Sequence, residues 1–416
     1  MARINFVYVN IQIPGFNSFG KGFEGTLISH GVASLITILK QQGHIVQLYD
    51  FRKLYSWHDW HQSCQSADAD YWCFSYLSTD YLHGQRAIQI LRKNRPNAKI
   101  IVGGAHASLS ETIEEETGAD EVVRGEGEYR LPNIIEDGSY LIEAGCSFDN
   151  VPVNLDELPF IDREIFGIEE MNWPLFPELI RPILTMVLGR GCGYRCRFCC
   201  NRNKLNGPPR MRSVEHIMGE LKELNERYHF NSLMIHDDLI AKPSWIEDFV
   251  EKFGKEFNYK PFFAQIHPKA VVTQKELIAG LAKIGLIWVS LGIESGSNRI
   301  LEFIHKETTT ELTREAVAIL RDNKVKIFGN MILGFPTESH AEALETAQFI
   351  EEIKPERLSP SLYTLFPGSE LYDYCKENDL ILNENWSSYS PCCIAIKGID
   401  YEFLKRLQQR IAVNVS

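Results

Sequence analysis

Short apolar runs alternate with longer amphipathic stretches along most of this chain, in two blocks separated by a proline-punctuated segment. A strand, a helix and a second strand in one sheet run parallel, because only a long crossover returns the chain to the same end. In the first block, strands are expected over residues 4–9, 45–49, 71–75, 99–103 and 121–124, and Val32, Leu35, Ile36 and Leu39 recur at helical spacing. Five such repeats predict an open, doubly wound, Rossmann-like parallel sheet over residues 1–140. Residues 141–182 carry Pro152, Pro159, Pro174, Pro177 and Pro182 without clear periodicity and are expected to link two domains. In the second block, strands are expected over 184–188, 232–235, 262–266, 288–291, 326–333 and 357–363. Helices are expected over 214–228, 244–257, 274–284, 312–323 and 341–353. Six strand–helix repeats predict a partial (β/α)6 TIM-like barrel over 183–375, followed by a short cap over 376–416 with a helix at 401–412.

The chain has 416 residues and a formal net charge of −12, which disfavours a broad nucleic-acid surface and points to small-molecule partners. No run of about 18 apolar residues is present, so no membrane span is expected. The N-terminus lacks a signal-peptide core, and a cytoplasmic location is expected. Ten cysteines are too few for a disulfide scaffold. Cys64, Cys73, Cys146 and Cys375 are scattered singly and read as packed thiols. Cys192, Cys196, Cys199 and Cys200 fall together, and Cys392-Cys393 form a late pair.

The run from Gly189 to Cys199 has the spacing C-x3-C-x2-C directly after the first barrel strand, at the rim where active sites of this architecture gather. Thiolates suit iron–sulfur iron, and three ligands on a four-iron cube leave one iron open to substrate or cofactor. The plainer readings are a structural zinc site completed by Cys392-Cys393, for which adjacent cysteines have poor geometry, and packed thiols without metal. Cys200 is treated as a non-ligand, since consecutive residues rarely point at one metal.

Cys192, Cys196 and Cys199, with aromatic Phe198 before the last cysteine, resemble the radical S-adenosylmethionine motif. The resemblance extends over about residues 183–375. It includes the runs Arg212-Ser213-Val214-Glu215, Asp237-Asp238, Gly292-Ile293-Glu294-Ser295-Gly296-Ser297 and Gly329-Asn330-Met331-Ile332-Leu333-Gly334-Phe335-Pro336, in the order seen in that superfamily. It implies a [4Fe-4S] cluster on Cys192, Cys196 and Cys199, whose open iron chelates S-adenosylmethionine and whose electron cleaves it to a 5′-deoxyadenosyl radical. It also implies cofactor contacts from Phe198, Asp238, Glu294, Ser295 and Gly334, and an external electron donor such as flavodoxin or ferredoxin. The plainer reading of Asp238 and Glu294 is a helix cap or a salt bridge.

In the first block, the loops after strands three to five carry Ser75, Tyr76, Leu77 and Ser78; Gly103, Gly104 and His106; and Gly125 and Glu126. An open parallel sheet binds ligands beyond its strands' carboxyl ends, and glycines let a large flat ligand press on backbone. With Gly31-x3-Leu35-x3-Leu39-Lys40-x2-Gly43-His44 and the linker run Leu155-Asp156-Glu157-Leu158-Pro159, these segments look like the cobalamin-binding domain of cobalamin-dependent radical S-adenosylmethionine enzymes. One departure concerns the string Asp59-Trp60-His61-Gln62-Ser63-Cys64, which lacks the glycine of the Asp-x-His-x-x-Gly motif and lies beyond the second strand. A histidine under the cobalt is therefore not expected, and His106 reads as a loop residue near the ligand rather than a metal ligand.

The resemblance implies a methyltransferase acting on an unactivated carbon, in which cobalamin relays a methyl group to a substrate radical between the two domains. The sheet's ligand edge and the barrel mouth are expected to face each other. The alternatives are cyclase, ring-contraction or carbon–carbon coupling chemistry on the same cluster, and a non-catalytic cobalamin or metal carrier. Methylthiolation fits less well, since no second cysteine triad occurs in the first block. Cys392 and Cys393 are candidate radical-quenching residues, with buried thiols the plainer reading.

Overall fold

The computed structural model describes residues 1–9, 28–137, 152–167, 176–200, 205, 207–238, 242–384 and 394–415. The chain forms two compact units, the first chiefly Met1–Glu170 and the second chiefly the remainder. In the first unit, β1 (Arg3–Tyr8), β2 (Ile45–Asp50), β3 (Tyr71–Ser75), β4 (Lys99–Gly103) and β5 (Glu121–Val123) form one parallel sheet in the order β2-β1-β3-β4-β5. Alternate strand residues serve opposite faces. Val7, Phe74 and Val102 meet Trp57, Trp60, Ile88 and Leu91 of helices Trp57–Ser66 and Tyr81–Asn94. Phe6, Cys73 and Ile101 meet Val32, Ile36 and Ile134 of helices His30–Gln41 and Arg130–Asp137 on the other side. Apolar groups on both faces explain why these strands read as near-continuous hydrophobic runs. Cys64, Cys73 and Cys375 are buried, as packed thiols should be, and Cys146 lies outside the described residues.

Part of the proline-rich connection is built into this unit. Phe166, in the turn Arg163–Phe166, is 1% exposed in the sheet's core, its carbonyl accepts from Lys53, and Lys40 reaches Asp162 at 2.7 Å.

The second unit contains β6 (Ile183–Met186), a two-residue antiparallel pair β7 (Gly189–Arg190) and β8 (Arg210–Met211), and then β9 (Ser232–Asp238), β10 (Phe262–Ile266), β11 (Leu286–Glu294), β12 (Lys326–Leu333) and β13 (Arg357–Leu362). Six of these form a parallel sheet in the order β13-β12-β11-β10-β9-β6, an unclosed (β/α)6 barrel. Val289, Leu291 and Ile293 of β11 pack outward against the helices, while Ser290 on the opposite face accepts from Asn330 of β12 at 2.7 Å. The foot of the barrel is filled by aromatic rings. Phe176 lies 5.0 Å from Phe263, 5.0 Å from Trp288 and 5.7 Å from Phe328, with Trp288 Nε1 donating to Glu178 at 2.8 Å. Each large ring fully buried there contributes about 2–3 kcal/mol.

The expected helices are present with three differences. Residues 268–284 form two helices, Pro268–Thr273 and Lys275–Ile284, and two short helices, Asn298–Phe303 and Glu370–Glu377, stand where no helix was expected. A ribbon of β14 (Ile381–Glu384) and β15 (Ile394–Ile396) precedes helix Tyr401–Val415, whose Leu404, Leu407 and Ile411 join the barrel's outer core. Among the described residues, no helix is long and apolar enough to cross a membrane.

Candidate active site

The cysteine loop leaves β7 and returns through β8, so both ends are fixed at the carboxyl side of β6. Arg212 closes its base: the backbone N–H donates to the Leu188 carbonyl at 2.9 Å and the guanidinium reaches the Val187 carbonyl at 3.1 Å and Glu220 at 2.6 Å. Arg197 fixes the middle. Its N–H donates to the Ile304 carbonyl at 3.0 Å, its carbonyl accepts from Leu371 at 3.0 Å, and its guanidinium lies 5.0 Å from the Phe303 ring and 5.5 Å from Tyr374. The two unexpected short helices are thus the anchors of the loop.

Tyr194 stacks on His267 at 3.8 Å and 16°. His267 Nδ1 accepts from the Lys269 N–H, so its proton sits on Nε2, which donates to the Lys306 carbonyl at 2.8 Å. Burial, then the Lys306 charge, depresses this imidazole to about 3 and keeps it neutral. Lys306 Nζ in turn meets Glu294 Oε1 at 2.9 Å, with both side chains 9% exposed. Glu294 ends the nine-residue strand β11 at a bulge, with φ of 60°. Gly292 permits this arrangement, because a Cβ there would lie 2.6 Å from Lys306 Nζ and 2.7 Å from Glu294 Oε1. Burial raises the Cys196 thiol to about 12; Lys306 opposes this, while Glu294, Cys199 and Cys192 add to it. The three thiols, the carboxylate and the ammonium therefore share one electrostatic neighbourhood.

Cys192 and Cys196 are half-buried and Cys199 is exposed, whereas Cys200 is buried, its thiol facing the Pro367 carbonyl at 3.6 Å. That supports three cluster thiols with the fourth cysteine set aside. Among the described residues, no three His, Cys, Asp or Glu side chains gather as ligands of a single metal ion. A four-iron cube takes its thiolates at separate corners, and three thiols on one loop are a donor set of that kind.

Phe198 lies 5.6 Å from Phe335, the residue after Gly334, and Phe335 lies 4.9 Å from Tyr363, while a Cβ on Gly334 would lie 2.9 Å from Leu404. The Gly334 N–H donates to Glu338, whose carboxyl is pushed up to about 7 by burial, and whose Oε1 has no hydrogen-bond partner among the described residues. Glu338 escaped the sequence reading, although it stands four residues after a quoted motif glycine. Ser295 stands apart from Glu294: its hydroxyl meets Thr346 at 3.1 Å and accepts from the Ser297 N–H, holding a turn. Asp238 is the last residue of β9, paired in register with Gln265. Cys392 and Cys393 lie outside the described residues.

In the first unit, the order β2-β1-β3-β4-β5 reverses between β1 and β3, which places the ligand crevice at the loop Tyr76-Leu77-Ser78. Leu77 is 40% exposed there. Gly104 has φ of 92°, and a Cβ on it would lie 2.8 Å from Ser75 Oγ and 3.1 Å from the Tyr76 backbone. The neighbouring polar groups are largely scaffold. His106 is 2% exposed, stacks near Tyr76 at 5.6 Å, and contacts Ser78 Oγ at 3.1 Å and Glu116 at 3.2 Å, engaging both ring nitrogens within the fold. Gly125, at φ of 72°, donates its N–H to Ser108 at 2.8 Å and has open space where a Cβ would stand; Glu126 is 7% exposed. The accessible set of Leu77 with the Ser75, Gly103, Gly104 and Gly125 backbone suits a broad ligand held by shape, as a corrin would be.

Residues 186–350 match the Radical SAM superfamily and residues 21–135 match the B12 binding domain. An uncharacterized methyltransferase of Pyrococcus horikoshii is 26% identical over 336 residues, 75% of this chain and 71% of its own length. The anaerobic magnesium-protoporphyrin IX monomethyl ester cyclase of Rubrivivax gelatinosus is 24% identical over 307 residues, 69% of this chain and 55% of the cyclase. The solved structure of the cobalamin-dependent S-adenosylmethionine radical enzyme OxsB, with aqua-cobalamin and S-adenosylmethionine bound, shares the fold at a TM-score of 0.78 and 17% identity. The match covers 98% of this chain and 66% of OxsB. With a three-thiol loop at the barrel rim and a B12-type sheet preceding it, the chain belongs to the cobalamin-dependent radical SAM enzymes.

Proposed function

We propose that this chain is a methyltransferase that alkylates an unactivated carbon of a small molecule or biosynthetic intermediate. The observation that carries the reading is the pairing, in one chain, of a thiol loop beside Glu294 with a parallel sheet whose ligand edge is lined by backbone. Similarity to a methyltransferase of Pyrococcus horikoshii supports methyl transfer over other outcomes.

When bound, the three groups supply one-electron reduction, a 5′-deoxyadenosyl radical and a transferable methyl. The chain's residues hold and orient them. Cys192, Cys196 and Cys199 would hold the cluster, and the loop anchors at Arg197 and Arg212 keep those thiols in place. Glu294 would accept hydrogen bonds from hydroxyls of the sulfonium cofactor, Asp238 would supply a second carboxylate, and Gly334 with Phe198 would admit its flat base. Leu77 and the Ser75, Gly103, Gly104 and Gly125 backbone would receive cobalamin. An external donor such as flavodoxin or ferredoxin supplies electrons in the cytoplasm; no nucleic acid takes part.

The second reading, cyclase or carbon–carbon coupling chemistry on the same cluster, is favoured by the likeness to the anaerobic cyclase of Rubrivivax gelatinosus. Anaerobic incubation with S-adenosylmethionine carrying a trideuterated methyl separates them. Deuterated methyl in the product, together with 5′-deoxyadenosine and bound corrinoid, is the expected result. Product formation without label supports the second reading, and material that binds neither iron nor corrinoid overturns both.

A further inference from the structure

A lysine ammonium is seldom buried unless it is paired, and Lys306 is 7% exposed as a residue. Several features bring it to this position. Helix Asn298–Phe303 ends with His305 at φ of 52° and the Lys306 N–H bonded to the Leu301 carbonyl at 3.0 Å, a helix end that turns the chain back inward. The Lys306 carbonyl is held by neutral His267, itself stacked against Tyr194 of the cysteine loop. Glu294 and Glu307, both non-glycine residues, adopt left-handed φ of 60° and 53° with no helix terminus to favour it. Such conformations cost about 1–3 kcal/mol each and persist where the surroundings impose them. Gly292 leaves room only for the pair.

An ion pair serving stability alone needs none of this, since a buried pair is often no better than an apolar replacement. What distinguishes this pair is its neighbour. The histidine that holds the Lys306 carbonyl stacks on Tyr194, two residues before Cys196, so the pair is built against the thiol loop itself.

We propose that Lys306 is a positioning residue for the cluster's charge: its buried ammonium offsets the negative charge of three thiolates and favours the reduced cluster, while Glu294 limits that effect. This rests on the reading of Cys192, Cys196 and Cys199 as cluster ligands. A cube held by three thiolates is anionic and gains one further negative charge on reduction, so a nearby fixed cation raises the midpoint potential and a fixed anion lowers it. In water the effect would be screened, but at 9% exposure for both side chains it is not.

The test is a potentiometric titration of anaerobically reconstituted protein without S-adenosylmethionine, following the reduced cluster by electron paramagnetic resonance. Lys306→Gln is expected to shift the midpoint to more negative potential, Glu294→Gln to shift it to more positive potential, and Lys306→Arg to remain near the wild type. If Lys306→Gln does not hold a cluster, the sign of the Glu294→Gln shift decides. Loaded variants that all titrate at the wild-type potential overturn the proposal, as does a shift of the same sign for both charge removals. Wild-type protein that takes up no iron or sulfide overturns instead the reading on which it rests.

Discussion

The ligand edge of the first unit and the barrel rim of the second are both built at the carboxyl ends of parallel strands, yet they differ in how they treat charge. At the sheet edge, the polar groups are closed on one another: His106 is used on both nitrogens, and burial of Glu116 is more than offset by hydrogen bonds from His106, Ser110 and Thr112, which hold its carboxyl at about 2. What remains accessible is backbone and Leu77. At the barrel rim, the charges are buried in strained backbone beside three thiols, and Glu338 keeps an oxygen with no hydrogen-bond partner among the described residues. The first arrangement suits a large ligand recognised by shape, the second a small charged one whose electronic state must be controlled. Apolar and backbone surfaces gain little from charge, whereas a low-dielectric rim magnifies it.

The sharpest way to break the comparison is Cys196→Ala. Nearly all reconstitutable iron and sulfide should be lost, while the circular dichroism spectrum and corrinoid uptake stay close to wild type. Retained iron would remove the charged half of the contrast.

His106→Ala should act on the fold of the first unit, costing about 2 kcal/mol in urea unfolding because it leaves the half-buried Glu116 carboxylate with Ser110 and Thr112 but without the imidazole. A metal-ligand role would instead alter the corrinoid spectrum with stability unchanged. The pH dependence carries a sign. A carboxyl held low contributes stability above the ordinary carboxylate range, and loses it as pH falls towards about 2, so the wild type should shed this contribution in acid and the variant should not.

Gly104→Ala combines left-handed strain with a Cβ 2.8 Å from Ser75 Oγ, a cost of about 2–3 kcal/mol. It should weaken corrinoid binding and leave cluster content untouched.

Glu338→Gln should have the smallest effect and one of opposite sign. Its carboxyl is raised, so between the ordinary value near 4.5 and about 7 the unfolded chain ionises while the folded chain resists. Stability should fall by about 2 kcal/mol as pH rises through that window, and the glutamine variant should remove the fall.

Much of the architecture was legible because each repeat offers two periodicities, a near-continuous apolar strand and an amphipathic helix. The expected helix at 214–228 is found as Val214–Tyr228, and the expected strands at 262–266 and 326–333 as Phe262–Ile266 and Lys326–Leu333. Helices of six and eight residues, Asn298–Phe303 and Glu370–Glu377, offer too few turns for a pattern to stand out. Cys192, Cys196 and Cys199 stand out in the sequence because one loop carries all three at close spacing. Lys306 does not. In the string His305-Lys306-Glu307-Thr308 it reads as one more polar loop residue, and only a helix end and a strand bulge twelve residues away bring it under Glu294. His106 shows the opposite case: a histidine after a glycine pair suggests a ligand contact, and only the fold shows both its nitrogens engaged with Ser78 and Glu116.

Phe176 and Glu178 stop the foot of the barrel although they precede its first strand. Anyone dissecting the chain should therefore start the second fragment ahead of Phe176. A cut at Ile183 would uncork the tube, wet Trp288 and Phe328 from below, and deprive Lys326 of its counter-charge, so that a fragment with every strand intact would still leak.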